Sequence, residues 1–229
     1  TPLNRSAFSP PVRANPFETV PGSGRPFRAE FPVLGISMTN RDTEPIPFAL
    51  PSIGSEEENA VVRVLRSGWL TTGAEAEAFE KEFAEALEVR HALGLNSATA
   101  GLHLALEANG IGLGDTVVTS PFTFTATAEV VRYLGAEVLF SDISDRGFNL
   151  DPGLLSRTLQ QARHRGTQVK AIIPVHIAGE PCRMKHILAL AEEYGAAVIE
   201  DAAHAFPVRS DDGKWTGTSG KAGVYSFYA

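Results

Sequence analysis

Asp201 ends the apolar run Ala196-Ala197-Val198-Ile199-Glu200. Acids at the end of a buried strand are costly to desolvate unless a cation or hydrogen-bond donors meet them. A carboxylate placed there could keep a pyridine nitrogen protonated, since an adjacent negative charge stabilises the cationic ring. A helix N-cap or a core salt bridge would account for it equally well. His204 lies three residues on and is expected to share a helix face with Asp201, either bonding a ring oxygen or simply packing. Asn96-Ser97-Ala98-Thr99-Ala100-Gly101 links an expected strand to an expected helix. Its small side chains let a ligand approach the backbone, and the free amides at the helix start favour an anion such as a phosphate monoester. Plain helix capping by Ser97 or Thr99 is the competing account, and taken alone the better one. Phe124, in a threonine-rich loop, could stack on a ring or be core, and Phe122 competes for either role. Ser226, at the end of the last expected strand, could donate to a phosphate.

These residues need elements to position them. Helices are expected over residues 55–66, with Val61, Val62 and Leu65 on one face and Glu56, Glu57 and Glu58 in the first turn. A second is expected over residues 74–87, where Phe79, Phe83 and Leu87 recur at four-residue spacing. Short apolar runs at 92–95, 116–119, 137–140, 170–175, 196–199 and 222–227 read as strands, with helical patterns between most of them, such as 102–108, 126–133 and 184–194. Repeated strand–helix units with continuously apolar strands predict an α/β fold, a mainly parallel sheet with helices on both faces. In such folds ligands gather at the carboxyl ends of strands. That places Asn96 to Thr99, Pro121 to Phe124, His176, Asp201 and Ser226-Phe227 as the candidates.

Residues 1–44 read differently, as a disordered or non-native extension. Seven prolines interrupt any period between Pro2 and Pro32, and Met38 is a candidate natural start. Residues 45–229 form the folded part. A net charge of -7 disfavours a general nucleic-acid or membrane role. A lone cysteine, Cys182, excludes an internal disulfide and points to a reducing compartment, the cytoplasm. No apolar run is long enough to suggest a membrane span. Gly110-Ile111-Gly112-Leu113-Gly114-Asp115 follows a helix and precedes a strand, the reverse of a dinucleotide fingerprint, and is read as a helix stop and turn. Asp201 and His204 could ligate a metal, but no third ligand is suitably spaced, so no metal site is expected.

Five motifs, in order, resemble the DegT/StrS-type sugar aminotransferases. They are Ser67-Gly68-Trp69-Leu70-Thr71-Thr72-Gly73, Asn96 through His103, Pro174-Val175-His176 with Gly179 and Pro181, Ile199 through Ala205, and Tyr225-Ser226-Phe227. The resemblance covers roughly residues 45–229. It implies the large domain of a fold-type I enzyme dependent on pyridoxal 5'-phosphate, incomplete in this chain and homodimeric at full length. The implied reaction turns a keto group on a nucleotide-linked sugar into an amine, with glutamate or glutamine as amino donor. Carried over by position, the resemblance assigns Ala98 and Thr99 to the phosphate pocket and Phe124 to ring stacking. It sets Asp201 on the pyridinium, His204 near the ring oxygen and Ser226 on the phosphate. Trp69, Thr71 and Thr72 fall near the substrate mouth. Ala98 and His204 look most like the branch acting on UDP-4-keto-pentose, which yields UDP-4-amino-4-deoxyarabinose.

The resemblance also implies a Schiff-base lysine five residues after Ser226, two positions beyond Ala229. Lys214 and Lys221 precede the last expected strand and do not replace it. No catalytic residue is therefore assigned within the chain, which alone is expected to be inactive. The competing reading is a non-catalytic protein of the same fold that binds a sugar nucleotide or regulates.

Overall fold

Five short strands pair into one parallel sheet in the order β2-β1-β3-β4-β5, its central strands buried and its edge strands β2 and β5 partly exposed. The strands are β1 (Thr116–Thr119), β2 (Glu137–Phe140), β3 (Val169–Ile173), β4 (Ala197–Asp201) and β5 (Ala222–Val224). The computed structural model of the chain describes residues 51–228, so the expectation for residues 1–44 falls outside them. Helices α1 (Ser55–Ser67), α2 (Ala74–Ala86), α3 (Ala98–Ala108), α4 (Thr125–Tyr133), α5 (Pro152–His164) and α6 (Met184–Tyr194) complete the order.

Side chains alternate across the sheet, and each face has its own core. Val117, Ala171, Ile173 and Ile199 meet Leu102 and Leu106 of α3 and Val130 and Val131 of α4. Val118, Ile172 and Val198 meet Leu155 and Leu159 of α5 and Met184 and Ile187 of α6 on the other face. Each fully buried Leu or Ile contributes about 1.5–3 kcal/mol relative to exposure. The expected sheet with helices on both faces is therefore present.

Local signals explain most boundaries. Asp151 caps α5 through bonds from Gly153 N and Leu154 N at 2.9 and 3.0 Å, and Pro152 opens the helix. Gly195, at φ 66°, ends α6 in the left-handed conformation that glycine adopts without strain. Gly110, at φ 75°, stops α3 as the helix-stop reading requires.

One expectation needs correction. Residues 92–95 form no strand, because among the described residues no neighbour offers them a ladder. The Gly94 amide donates instead to the Glu80 carboxylate, at 2.8 Å. The apolar face of α1 is not covered by described residues, and Val61 and Leu65 are each 59% exposed. The α2 phenylalanines do find partners. Phe79 and Phe83 meet Phe227, and Phe83 also meets Phe206 and Tyr225, with ring centroids 5.2–5.6 Å apart.

Candidate active site

The carboxyl ends of β1, β3, β4 and β5 open on one side of a parallel sheet, the side where open α/β folds bind ligands. Asp201 stands at the end of β4 and is 5% exposed. Thr127 of α4 donates its hydroxyl to Asp201 Oδ2 at 2.8 Å, and the Ala203 amide donates to Oδ1 at 3.2 Å. Thr123 in turn lies 2.7 Å from the Thr127 hydroxyl. These contacts fix the carboxylate without neutralising it, and no ion-pair partner reaches it among the described residues. Neither structural account of Asp201 is realised among the described residues: no salt bridge reaches it, and no helix follows β4 for it to cap, the bond from Ala203 being a local turn contact.

Burial raises the Asp201 carboxyl above its ordinary 3.8, while the bonds from Thr127 and Ala203 oppose that rise. A raised acid holds its proton more tightly in the folded chain than in the unfolded one. Its contribution to stability is thus fully present at acid pH and lost as pH climbs from 3.8 through the raised value. In cofactor-free protein, Asp201→Asn is expected to remove that decline. Urea midpoints of both proteins across mildly acid to neutral pH check it, and parallel profiles would refute the burial account.

The segment after β4 turns instead of forming a helix, so His204 shares no helix face with Asp201. The Ala205 amide bonds back to the Ala202 carbonyl at 2.9 Å, and Pro207 has no amide to continue a helix. His204 is exposed, and its Nδ1 accepts from the Ala178 amide at 3.3 Å. Neutral His204 then carries its proton on Nε2, leaving that nitrogen as a donor.

At the start of α3, the Ser97 hydroxyl accepts from the Ala100 amide at 3.1 Å, so the capping account is realised. The amides of Ala98 and Thr99 have no partner among the described residues, so the cap and an anion cradle coexist at one helix end. Gly101 lets α3 sit close to β5, where an added Cβ would meet Val224 Cγ1 at 2.7 Å. Ser97→Ala is expected to cost about 1 kcal/mol of folding stability. Chemical denaturation reads it, and an unchanged midpoint would discard the cap.

Phe124 precedes α4 and is 75% exposed, free to cover a ligand. Phe122 stacks instead on Phe148, with centroids 5.1 Å apart, both rings remaining exposed, so neither phenylalanine of this loop is a core residue. Ser226 is half-buried beyond β5, its hydroxyl accepting from the Tyr228 amide at 3.2 Å. Trp69 and the exposed Thr71 and Thr72 lie in the turn after α1. Trp69 Nε1 donates to the Thr71 carbonyl at 2.7 Å, and Thr72 adopts φ 40°. No hydrogen bond joins this turn to Asp201 among the described residues.

His176 is a further correction. It is fully buried, and its ring faces Glu200 and Cys182. Sequence reasoning put it with the ligand-facing strand ends because it follows the strand expected at 170–175, while its partner, Glu200, is 24 residues away. Thr127 was missed as well, since a threonine in the first turn of a helix reads as an ordinary helix start until β4 is placed beside it.

Comparison with known families matches residues 51–229 to the DegT/DnrJ/EryC1/StrS aminotransferase family. The spore coat polysaccharide biosynthesis protein SpsC of Bacillus subtilis is 44% identical over 184 residues, 80% of this chain and 46% of that protein. An aminotransferase from Psychrobacter cryohalolentis superposes with a TM-score of 0.72 at 38% identity, over 79% of this chain and 45% of that one. The PLP-form of the sugar aminotransferase Spr1654 from Streptococcus pneumoniae gives 0.73 at 30% identity, over 80% and 49%. The chain thus spans about half the length of these relatives.

Proposed function

This chain belongs to the DegT/DnrJ/EryC1/StrS aminotransferase family, and from that premise we propose that it supplies the pyridoxal-phosphate-holding part of a nucleotide-sugar aminotransferase. The family depends on that cofactor, and the S. pneumoniae relative has been solved in PLP- and PMP-forms. The residues present fit the group. The observation that carries the reading is Asp201, a desolvated, oriented carboxylate lacking a described cationic partner.

Bound there, pyridoxal phosphate would supply the electron sink and amino-group carrier that amino transfer requires. Asp201 would hold the proton on the ring nitrogen, and Thr127 and Ala203 would keep its carboxylate aimed. Phe124 would cover one face of the ring. Ala98, Thr99 and Ser226 would take the phosphate, the first two through helix-start amides. His204 Nε2 would donate to the ring oxygen. Trp69, Thr71 and Thr72 would line the approach of the keto sugar. The resemblance supplies the finer terms of the reaction. The sugar is nucleotide-linked, the amino donor is glutamate or glutamine, and the protein works as a homodimer; the lone Cys182 adds a cytoplasmic location.

The complete coding frame containing this chain, expressed and given pyridoxal phosphate, is expected to move nitrogen from glutamate or glutamine onto a UDP-linked 4-keto sugar. Mass spectrometry of the sugar reads a keto-to-amine change. Sugar binding without any amine product would favour the non-catalytic reading.

A further inference from the structure

Glu200 lies beside Asp201 on β4, is fully buried, and takes no part in the cofactor contacts proposed above. Its Oε1 accepts from the amides of Ser219 and Gly220 at 2.7 and 2.6 Å. Its Oε2 accepts from the Gly217 amide at 2.9 Å and lies 3.0 Å from His176 Nε2. The Cys182 amide donates to His176 Nδ1 at 3.0 Å, so the neutral ring carries its proton on Nε2 and donates it to Glu200. Four donors from two chain segments thus surround one carboxylate, three of them backbone amides of the loop that leads into β5.

That loop controls a weakly determined strand. β5 has three residues, all only partly buried, and its central residue, Gly223, has no side chain to hold a register against its partner Glu200. A slip of one residue would reverse which face each side chain meets and move the chain by about 3.3 Å. The Lys221 amide reaches Val198 O, and the Ala202 amide reaches Val224 O, both at 2.8 Å, but such ladder bonds can re-form after a slip. The grip of Glu200 on residues 217–220 cannot. Ser226 follows β5 by two positions.

We infer that Glu200 is a positioning residue that sets the register of β5 and thereby holds Ser226 against the rest of the cofactor site. The part of this that concerns ligand binding rests on the cofactor reading above. His176 serves it by donating one of the four bonds. Glu200→Gln replaces one acceptor oxygen with an amino group that faces backbone N–H donors, which breaks the clamp at nearly constant volume.

The test uses the complete gene product and measures dissociation constants for pyridoxal phosphate and for pyridoxal, which lacks the phosphate. In the cofactor-free protein it also measures amide exchange over residues 217–220 and 225–227. Glu200→Gln is expected to weaken pyridoxal phosphate about tenfold and pyridoxal about twofold or less. Both segments should exchange faster. Equal weakening of the two ligands would overturn the inference, as would faster exchange confined to residues 217–220. If the wild type binds neither ligand, the cofactor reading fails while the exchange result still decides the register. His176→Asn, which leaves the three backbone donors in place, is expected to give the same pattern more weakly, and keeps the test available if Glu200→Gln does not fold.

Discussion

Asp201→Asn is expected to leave folding intact while removing the cofactor's electronic support. Asparagine is nearly isosteric. Its amide oxygen can accept from Ala203, and its amino group can donate to the Thr127 hydroxyl, which now faces a donor and turns to serve as acceptor. No buried charge remains, so the cofactor-free variant should be at least as stable as the wild type at neutral pH. A charge-assisted bond to the ring nitrogen contributes about 1.5–3 kcal/mol. Pyridoxal phosphate affinity should therefore fall by about ten- to a hundredfold. Amino transfer should fall further, by about 10^2–10^3, because the unprotonated ring withdraws electrons poorly. A thermal melt and a cofactor titration on the same preparation check this. A destabilised variant with normal affinity would make Asp201 a structural acid and remove it from the site.

Gly223→Ala is expected to have the opposite profile, a large loss of stability with function lost as a consequence. An added Cβ at Gly223 would collide with the Gly217 carbonyl, with the Gly217 carbonyl carbon at 2.6 Å and its Cα at 2.7 Å. All three are backbone atoms of the loop clamped by Glu200, so no side-chain rotation relieves the contact. The cost is expected at about 3 kcal/mol, the upper part of the usual range for overpacking. Gly101→Ala is the internal comparison. There the added Cβ meets one side-chain methyl, Val224 Cγ1, rather than backbone, and about 1 kcal/mol, the lower part of the same range, is expected. Denaturation midpoints of the two variants rank them, and an equal or reversed order would mean that β5 and its loop are not held as tightly as described.

The sequence made the sheet's interior legible because the apolar runs there are short, bounded and repeated. The expected 116–119 and 137–140 coincide with β1 and β2, and the expected 184–194 coincides with α6. At β3, β4 and β5 the expected bounds are shifted, because ladder pairing rather than hydrophobicity decides where a strand stops. β5 ends at Val224, well before Phe227, whose ring instead packs on α2. The helix α5 was not named in advance, although Asp151-Pro152 with Leu155, Leu159 and Ala162 carried a cap and a period. The strand expected at 92–95 fails for want of a described neighbour, which hydropathy cannot foresee.

The site was legible where a residue's type and place along the chain suffice. Asp201 ends a buried strand, and the small residues after Ser97 begin a helix, as read. It was illegible where meaning comes from a partner far along the chain. His176 looked like a ligand residue until Glu200 met it, and Glu200 had no assigned role until the loop before β5 closed on it. Thr127 reaches Asp201 across 74 residues of sequence.

Borohydride reduction followed by peptide mapping tests the central claim most directly. The complete gene product is loaded with pyridoxal phosphate, reduced and digested with trypsin. The account predicts one pyridoxyl label on the peptide that begins at Ala222, after Lys221, on a lysine following Ser226. Absence of label, or label on Lys214 or Lys221, would contradict the account.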